Sequence, residues 1–521
     1  METRLNLTRL PERSPEDWRA AIEALAGAFM RAFGMPGLAI AVVQPQQPPL
    51  TVALGVRALG GPERVDAHTS FAVASNSKAY LAACLAMLVD EGRLAWDDPV
   101  VKHLPQFRMF DATVTGLMTV RDLLVHRSGL PLGAGDLMQF PRTDHTRADV
   151  LRALRHFKLA TGFRTGYAYD NCLYIVAGAV LEAASGLDWD SFVAQRIFAP
   201  LGMAGAVASP SLVTTENRAA RHVRLGPPAI GMGSLERMAP DESPVIGPAG
   251  GINLSVADSL AWLQVQLGRG ALPGGPRLWS EARAAEMWTP HTLISSGPGP
   301  TAEMPQRAVM QAYALGWAVS DFRGRRMLTH GGGLAGQASR TALLPDAGVG
   351  LLVCSNAGDA EPVSALRYAL LDLLTGEPAF DWVAAARQTI AALERQVVDL
   401  MGSGDFPPPP GAASLPLARY AGRYRDPWYG DIVVACADGG LAIDFTRTPV
   451  FKSALEPFGD DAFRTRFPRG AGEDAVVRFE VADGAVVGVT MRALSPIADF
   501  SFDFKDLAFV PVRDDQPSSA E

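Results

Sequence analysis

Cysteine is scarce in this chain: 521 residues contain four, and they are dispersed, without a Cys-x-x-Cys pair. Scattered cysteines argue against a disulfide framework or a cysteine-based zinc site, so we expect free thiols, three of them in apolar contexts. Six of the eight histidines show no metal-ligand spacing with Cys, Asp or Glu. We therefore predict no metal site.

Long apolar runs are missing as well. No stretch approaches the ~18 consecutive apolar residues of a membrane-spanning helix. The first residues, Met1 to Arg13, carry five charged side chains in place of an apolar signal core. From these two observations we expect a cytoplasmic protein that does not associate with a membrane.

What the chain does contain is a globular composition, with 48% apolar and 20% charged residues. A net charge of −8 without a basic stripe argues against binding to nucleic acid. The length exceeds that of one average domain, so two domains are expected. The composition leaves the oligomeric state open, from a monomer to a homo-oligomeric ring.

The sequence texture changes at a proline-rich segment. Residues 1–375 begin with a helix and strands, continue with helices and long loops, and end with strands and a helix. This order predicts an α/β sandwich whose sheet is completed by both ends of the domain. Residues 376–415 predict one further helix and a semi-rigid linker. Residues 416–515 are rich in β-forming residues and predict a small all-β barrel.

The most informative local pattern is Ser75-Asn-Ser-Lys78, where a strand-like run meets a helical pattern. On a helix this spacing stacks the two side chains on one face. A serine hydroxyl needs a base within hydrogen-bond reach, and a lysine can serve if burial lowers its pKa. The start of a helix also offers unpaired backbone N–H groups to a developing negative charge. Ser75 and Lys78 are therefore candidates for nucleophile and base.

Two further motifs follow in order. In Tyr169-Asp-Asn171 the tyrosine and asparagine point the same way in an extended loop, and a phenol beside an ammonium ionises more easily and relays a proton. In His330-Gly-Gly-Gly333 the glycines let a substrate lie against bare backbone, and the Gly333 N–H is a candidate oxyanion donor. We therefore predict that His330, Gly332 and Gly333 contact the substrate.

In this order the three motifs resemble those of the serine β-lactamase and penicillin-recognising superfamily, and most closely its class C, esterase and D-peptidase branch. The resemblance spans about residues 20 to 375 and implies a β-lactamase-like sandwich of an antiparallel sheet with helices. Stretches outside the motifs match as well: Thr119-Val-Arg-Asp-Leu-Leu-Val-His-Arg-Ser-Gly-Leu-Pro131, Pro200-Leu-Gly-Met203, Pro248-Ala-Gly-Gly251 and Leu344-Pro-Asp-Ala-Gly-Val-Gly350.

The resemblance also implies an acyl-enzyme mechanism that uses no cofactor. Ser75 would attack a carbonyl carbon, and Lys78 and Tyr169 would share the general-base work and protonate the leaving group. Asn171 would hold this network and bond a substrate amide. The N–H groups of Ser75 and Gly333 would form the oxyanion hole. The expected partner is a small-molecule ester, amide or peptide.

One position departs from the β-lactamase pattern. His330 stands where these enzymes usually carry a lysine, and a lysine suits the carboxylate of a β-lactam, whereas a histidine is mostly neutral at pH 7. We therefore rank a small-acyl esterase first, a D-amino-acid or peptide hydrolase second and a β-lactamase third. A penicillin-binding protein that acylates but turns over slowly is the alternative. The completeness of the motifs argues against a scaffold with a vestigial site.

The glycine run has two other interpretations, and both fail on context. His330-Gly-Gly-Gly333 resembles the oxyanion motif of α/β-hydrolase lipases, but the chain has no Gly-x-Ser-x-Gly elbow. The spacing Gly331-x-Gly333-x-x-Gly336 matches a dinucleotide fingerprint, but a strand is predicted after it where that fingerprint requires a helix.

The C-terminal segment carries a second, looser resemblance. Asp438-Gly439 and Asp483-Gly484 mark hairpins. Tyr420-Ala-Gly-Arg-Tyr424 resembles the opening of the small lipocalin-like domain appended to some of these hydrolases. Such a barrel would stabilise or oligomerise the protein, or would lend a loop to the active site and restrict substrate size.

Overall fold

The computed structural model describes residues 11–240, 243–272, 274–402 and 406–513. Predictions for residues 1–10, 403–405 and 514–515 lie outside these ranges. The described chain forms the α-helices α1 (Pro15–Phe33), α2 (Ser77–Asp90), α3 (Val100–His103), α4 (Ala112–Leu117), α5 (Arg147–Ala153), α6 (Cys172–Ser185), α7 (Trp189–Val193), α8 (Gly247–Gly250), α9 (Val256–Leu267), α10 (Glu281–Met287), α11 (Ala360–Thr375) and α12 (Trp382–Met401).

The strands of the described chain fall into one large sheet, one barrel and two short pairs. They are β1 (Gly37–Val43), β2 (Leu50–Gly55), β3 (Phe71–Ala72), β4 (Arg221–Arg224), β5 (Leu235–Met238), β6 (Asn253–Leu254), β7 (Thr292–Ser296), β8 (Met310–Tyr313), β9 (Ala318–Phe322), β10 (Arg325–Leu334), β11 (Gln337–Leu344), β12 (Val349–Ser355), β13 (Gly422–Asp426), β14 (Gly430–Ala437), β15 (Gly440–Phe445), β16 (Lys452–Pro457), β17 (Ala462–Arg464), β18 (Ala475–Ala482), β19 (Ala485–Ala493) and β20 (Ala508–Pro511).

The large sheet has eight strands in the order β2-β1-β12-β11-β10-β9-β8-β7, and all neighbours are antiparallel. β1 comes early in the chain and pairs with β12, which comes some 300 residues later, so that Ile40 lies opposite Val353. Both strands are buried along their whole length. The predicted antiparallel sheet, completed by both ends of the domain, is confirmed.

Helices cover both faces of this sheet. Side chains alternate across a strand, so Ile40 packs into one core with α1 and α11, whereas Ala41 faces the core that contains α2 and α9. α1 begins directly after Ser14, whose Oγ accepts a hydrogen bond of 3.1 Å from the N–H of Asp17. The sheet is therefore a fixed base for a site built on α2 and β10.

The helix that follows Ser75 is shorter than the sequence predicts. The pattern predicts a helix from about Ser75 to Glu91, whereas α2 begins at Ser77 and residues Ala74–Asn76 form a 3-10 turn. Nearly every residue of α2 is buried, including Leu85. Burial on all sides holds α2, and the turn before it, in one position.

The C-terminal region forms a closed barrel of eight antiparallel strands, β13 to β20. Asp438-Gly439 and Asp483-Gly484 lie at two-residue hairpin turns with all four φ angles between 49° and 76°, the conformation that favours Asp-Gly. The predicted barrel is thus confirmed, and its interior is filled by aromatic rings. The lipocalin-like resemblance of this region stays a prediction.

Two findings bear on the opening predictions. Among the described residues no single helix is long and apolar enough to cross a membrane, although the bent pair Cys172–Ser185 and Trp189–Phe198 meets the length and composition limits together. Cys84, Cys172 and Cys354 are buried, Cys436 is exposed, and all four are free thiols.

Candidate active site

Ser75 lies on the tight turn between β3 and α2, partly exposed between two buried neighbours. Ala74 has φ +49°, a left-handed value that residues with side chains rarely adopt. Such strain persists only where surrounding contacts over-determine the backbone, and it is frequent at functional sites. The strained backbone at Ala74 therefore indicates a functional site at this turn, independently of the Ser-x-x-Lys motif.

Polar side chains hold the turn in place. Ser77 Oγ donates to the Ala74 carbonyl at 2.7 Å. Asn76 Nδ2 donates to Ser339 Oγ on β11 at 2.8 Å. The turn is thereby tied both to itself and to the sheet, which keeps Ser75 in one orientation.

Lys78, in the first turn of α2, is fully buried, and its Nζ has three oxygen neighbours. These are Ser75 Oγ at 3.0 Å, Asn171 Oδ1 at 2.8 Å and the Ala249 carbonyl at 2.8 Å. The amide and carbonyl oxygens can only accept. A neutral amine would therefore donate its two N–H groups to these two oxygens and direct its lone pair at the hydroxyl of Ser75.

Burial lowers the pKa of Lys78 to about 7, because an ammonium inside the protein loses its hydration. The carboxyl groups of Asp136 and Asp170 oppose this shift, since their negative charge favours the ammonium. A substantial fraction of the amine is thus neutral near pH 7, which is the state that a general base requires.

Asn171 links this lysine to a buried acid. Its Nδ2 donates to both carboxyl oxygens of Asp136 at 3.1 Å, while its Oδ1 accepts from Lys78. Burial raises the pKa of Asp136 to about 7, and its hydrogen bonds with Asn171 and Ser501 oppose the rise. Both ends of the Asn171 amide are engaged inside the protein, so the geometry does not favour the bond to a substrate amide that the resemblance implies.

Tyr169 completes the group around the nucleophile. Its ring centroid lies 4.8 Å from Lys78 Nζ. Burial raises the pKa of Tyr169 well above its usual value, and a hydrogen bond with Ser75 lowers it by less. Burial therefore works against the easier ionisation expected beside an ammonium, because a phenolate inside the protein loses its hydration. A neutral phenol is suited to pass a proton on while remaining protonated itself.

His330 projects from β10 and is buried. Its Nδ1 lies 2.7 Å from the Gly331 carbonyl, which can only accept, so Nδ1 carries the proton. Its Nε2 lies 2.8 Å from the Tyr313 hydroxyl, which then donates to it. Burial is the largest cause that lowers the pKa of His330 to about 3, and the charge of Lys78 lowers it further. His330 is therefore neutral, with both ring nitrogens engaged.

The two glycines after it differ in their surroundings. A Cβ on Gly332 would lie 2.1 Å from the Val73 carbonyl and 2.4 Å from Ser339 Oγ, so no side chain fits between β10 and the nucleophile turn. A Cβ on Gly333 would meet nothing within 4 Å. Gly332 thus permits the close approach of the strand to Ser75, while Gly333 borders open space.

The structure therefore brings Ser75, Lys78, Tyr169 and Asn171 into direct contact, with His330, Gly332 and Gly333 on the adjacent strand. The sequence patterns do not point to Asp136, because nothing in its spacing links it to these motifs. Asp170 lies inside the Tyr-x-Asn motif and was within reach of the same reasoning. Among the described residues, no three His, Cys, Asp or Glu side chains are grouped to hold a metal ion.

Comparison with known proteins identifies the family. The sequence model of the Beta-lactamase family matches residues 22–375, which is most of the chain and includes every site residue described above. The chain belongs to the Beta-lactamase family. A second model, a domain of unknown function (DUF3471), matches residues 407–511, the region of the barrel.

Relatives of this Beta-lactamase family member include hydrolases and penicillin-binding proteins. The chain is 29% identical over 450 residues to Unguisins hydrolase ungD of Aspergillus violaceofuscus, covering 79% of this chain and 76% of the relative. It is 29% identical over 324 residues to Penicillin-binding protein 4 of Amycolatopsis lactamdurans, covering 59% and 78%. The octameric penicillin-binding protein homologue from Pyrococcus abyssi shares the fold, with a TM-score of 0.58 at 18% identity over 94% of this chain and 99% of that one.

Proposed function

We propose that this protein is a serine hydrolase that forms an acyl-enzyme on Ser75 and cleaves an ester or an amide. The observation that carries the proposal is the pairing of Ser75 Oγ with the buried Nζ of Lys78 at 3.0 Å. A desolvated lysine beside a serine hydroxyl supplies the base that the nucleophile needs. The chemistry calls for neither metal nor cofactor.

In the proposed acylation, neutral Lys78 takes the proton of the Ser75 hydroxyl as Oγ attacks the carbonyl carbon of the substrate. The N–H groups of Ser75 and Gly333 are the proposed donors to the oxygen that becomes negative. The Lys78 ammonium then returns a proton to Tyr169 as the phenol donates its own proton to the leaving group, and the bond between the carbonyl carbon and that group breaks. Water attacks the acyl-enzyme in the second half of the reaction and releases Ser75.

The neutral state of His330 supports esters and amides over β-lactams. A β-lactam carries a carboxylate, and at this position a lysine would offer it a permanent cation. Here the imidazole is uncharged and its two nitrogens are bonded to Tyr313 and Gly331. We therefore rank a small-acyl esterase first, a D-amino-acid or peptide hydrolase second and a β-lactamase third.

The relatives support the reaction class and one alternative. A relative named for the hydrolysis of unguisins supports hydrolysis as the reaction. A relative named Penicillin-binding protein 4 supports the alternative, in which penicillin acylates Ser75 and is released slowly.

The test is intact-protein mass after exposure to a fluorophosphonate and, in a separate sample, to a penicillin, together with the release of p-nitrophenol from its acetate ester. Ser75→Ala is the matched control, since it removes only the nucleophilic oxygen. An adduct on Ser75 with rapid ester turnover and little penicillin hydrolysis is the expected result.

Other results would redirect the proposal. A stable penicillin adduct without turnover would favour a penicillin-binding protein. Full turnover by Ser75→Ala, or the absence of both adduct and turnover in the natural protein, would refute the mechanism.

A further inference from the structure

One turn of the barrel reaches the acid behind the candidate active site. The barrel turn, residues 499–504, connects β19 to β20. Ser501 Oγ donates to Asp136 Oδ2 at 2.9 Å. Asp503 is buried, and its two carboxyl oxygens accept from the N–H groups of Gly135 at 2.7 Å and Leu137 at 3.1 Å. The turn thus binds both the side chain of Asp136 and the backbone on either side of it.

Asp136 is the remote end of a chain of side chains that leads to the nucleophile. Its carboxyl group accepts from Asn171, the Asn171 amide accepts from Lys78, and Lys78 lies against Ser75. Each link measures between 2.8 and 3.1 Å. A displacement of Asp136 would therefore also displace Lys78, because every contact between them is at hydrogen-bond distance.

The barrel supplies one of the hydrogen-bond donors to this acid. Asp136 is fully buried, and a buried carboxyl group needs hydrogen-bond donors on its oxygens. Gln139 and Asn171 supply donors from the catalytic region, and Ser501 supplies one more from the barrel. Without the barrel, Oδ2 would lose this donor and two backbone N–H groups would lose their acceptor, Asp503.

A second contact joins the same turn to the loop that carries Tyr169. The Gly133 N–H donates to the Tyr169 carbonyl at 2.9 Å. A Cβ on Gly133 would lie 2.7 Å from Phe500, so the barrel turn packs directly on this glycine. The Phe500 ring meets the Tyr169 ring edge-on, with centroids 6.3 Å apart. The barrel turn therefore contacts both Asp136 and Tyr169.

We propose that the barrel turn is an integral part of the active site, in which Ser501 and Asp503 are positioning residues that hold Asp136, and through it Asn171 and Lys78, in register with Ser75. The inference rests on the proposed function for its kinetic consequences. It assigns to the barrel a role in setting the base, in addition to any role in stability or assembly.

The test uses the full chain and compares Ser501→Ala with Arg447→Ala. Arg447 also joins the barrel to the catalytic region, through Asp149 at 2.8 Å and the Asp144 carbonyl at 3.0 Å, but it stands outside the chain of contacts to Ser75. Both changes loosen the domain contact, and only Ser501→Ala removes a donor from Asp136. Ser501→Thr keeps the hydroxyl and serves as the rescue variant.

We expect Ser501→Ala to lower kcat roughly tenfold with little change in KM, because hydrogen bonds to buried charged groups are among the stronger ones. Ser501→Thr should recover most of the loss, and Arg447→Ala should leave kcat within about twofold of the natural protein, because Arg447 bonds to none of the residues that lead from Asp136 to Ser75. Equal kinetics for Ser501→Ala and Arg447→Ala, or no recovery with threonine, would overturn the proposal.

Amide hydrogen exchange provides a readout that needs no turnover. In Ser501→Ala and in Asp503→Asn, peptides that cover residues 133–139 and 169–174 should exchange faster, while in Arg447→Ala they should not. If the natural protein proves inactive but these peptides respond, the proposed function fails and the coupling stands. If they do not respond, the coupling fails whatever the activity.

Discussion

Two elements border the candidate active site, and each carries a buried nitrogen base: α2 carries Lys78 (the α2 wall) and β10 carries His330 (the β10 wall). Burial lowers the pKa of both bases, but to different values. On the α2 wall, burial lowers the pKa of Lys78 to about 7, and Asp136 and Asp170 limit the shift. On the β10 wall, burial and the charge of Lys78 lower the pKa of His330 to about 3. Lys78 therefore titrates in the working range of most enzymes, whereas His330 stays neutral throughout it.

The difference lies in the partners of each base. The Nζ of Lys78 has two acceptors and one hydroxyl, so the neutral amine keeps a lone pair for Ser75. His330 Nδ1 donates its proton to the Gly331 carbonyl, and the lone pair of Nε2 accepts from the Tyr313 hydroxyl. Burial alone therefore does not make a base: Lys78 keeps a lone pair that can accept a proton, whereas both ring nitrogens of His330 are already engaged.

The largest expected effect is on the α2 wall, with Lys78→Met. Methionine has a similar length and suits a buried position, but it cannot accept the Ser75 proton. We expect kcat/KM to fall about 10²- to 10⁴-fold, the usual contribution of a general base. Hydrolysis of the p-nitrophenyl ester measures kcat/KM, and the rate of fluorophosphonate labelling measures the reactivity of Ser75. A loss below tenfold would assign the base to another group.

The next effect concerns the approach of the two walls. Gly332→Ala forces a methyl group against the Val73 carbonyl and Ser339 Oγ. We expect a stability loss of about 1–3 kcal/mol from overpacking, with a further loss of activity as the nucleophile turn shifts. Denaturant unfolding measures the stability. Gly333→Ala is the matched control and should be within about 0.5 kcal/mol of the natural protein, because its added methyl group meets no atom.

The pH dependence of the natural protein separates the two bases directly. Lys78 must be neutral to accept a proton, so kcat/KM should rise with pH and level off above a midpoint near 7, where burial places its pKa. A lysine at its ordinary pKa would instead give a midpoint near 10. No limb should arise from His330 between pH 5 and 9. A rate that is flat from pH 5 to 9 would contradict this assignment of the base.

The smallest expected effect is on the β10 wall, with His330→Gln. Glutamine keeps one donor and one acceptor, so we expect turnover of a neutral ester to change less than about tenfold. His330→Lys adds a cation and should instead increase the rate at which a penicillin acylates Ser75. Mass spectrometry of the adduct with time measures that rate. If His330→Gln lowered ester turnover as much as Lys78→Met does, His330 would be as important for catalysis as Lys78, and the proposed difference between the two walls would be wrong.

Much of the site follows from local spacing. Ser75 and Lys78 are three residues apart, and Tyr169 and Asn171 are two apart, so a single turn or strand places each pair together. The hairpins at Asp-Gly pairs are local in the same sense. The succession of helical and strand patterns along the chain predicted that both ends of the domain complete the sheet.

The remainder depends on contacts between distant parts of the chain. Ser501 and Asp136 are 365 residues apart, and no sequence pattern links them. The easier ionisation expected for Tyr169 considered one neighbouring charge and not the loss of hydration, which raises the pKa of this phenol. The start of α2 shifted by two residues because the left-handed Ala74 closes a tighter turn before it.

The sequence by itself determined the two-part architecture, the three candidate motifs and the order in which they occur. These depend on side-chain periodicity and turn conformation, which act over a few residues. Only the tertiary structure decided that Lys78 has a pKa near 7, that His330 is neutral and that Ser501 of the barrel bonds to Asp136. Loss of hydration depends on everything that packs around a group, and for Asp136 that includes a turn from the far end of the chain.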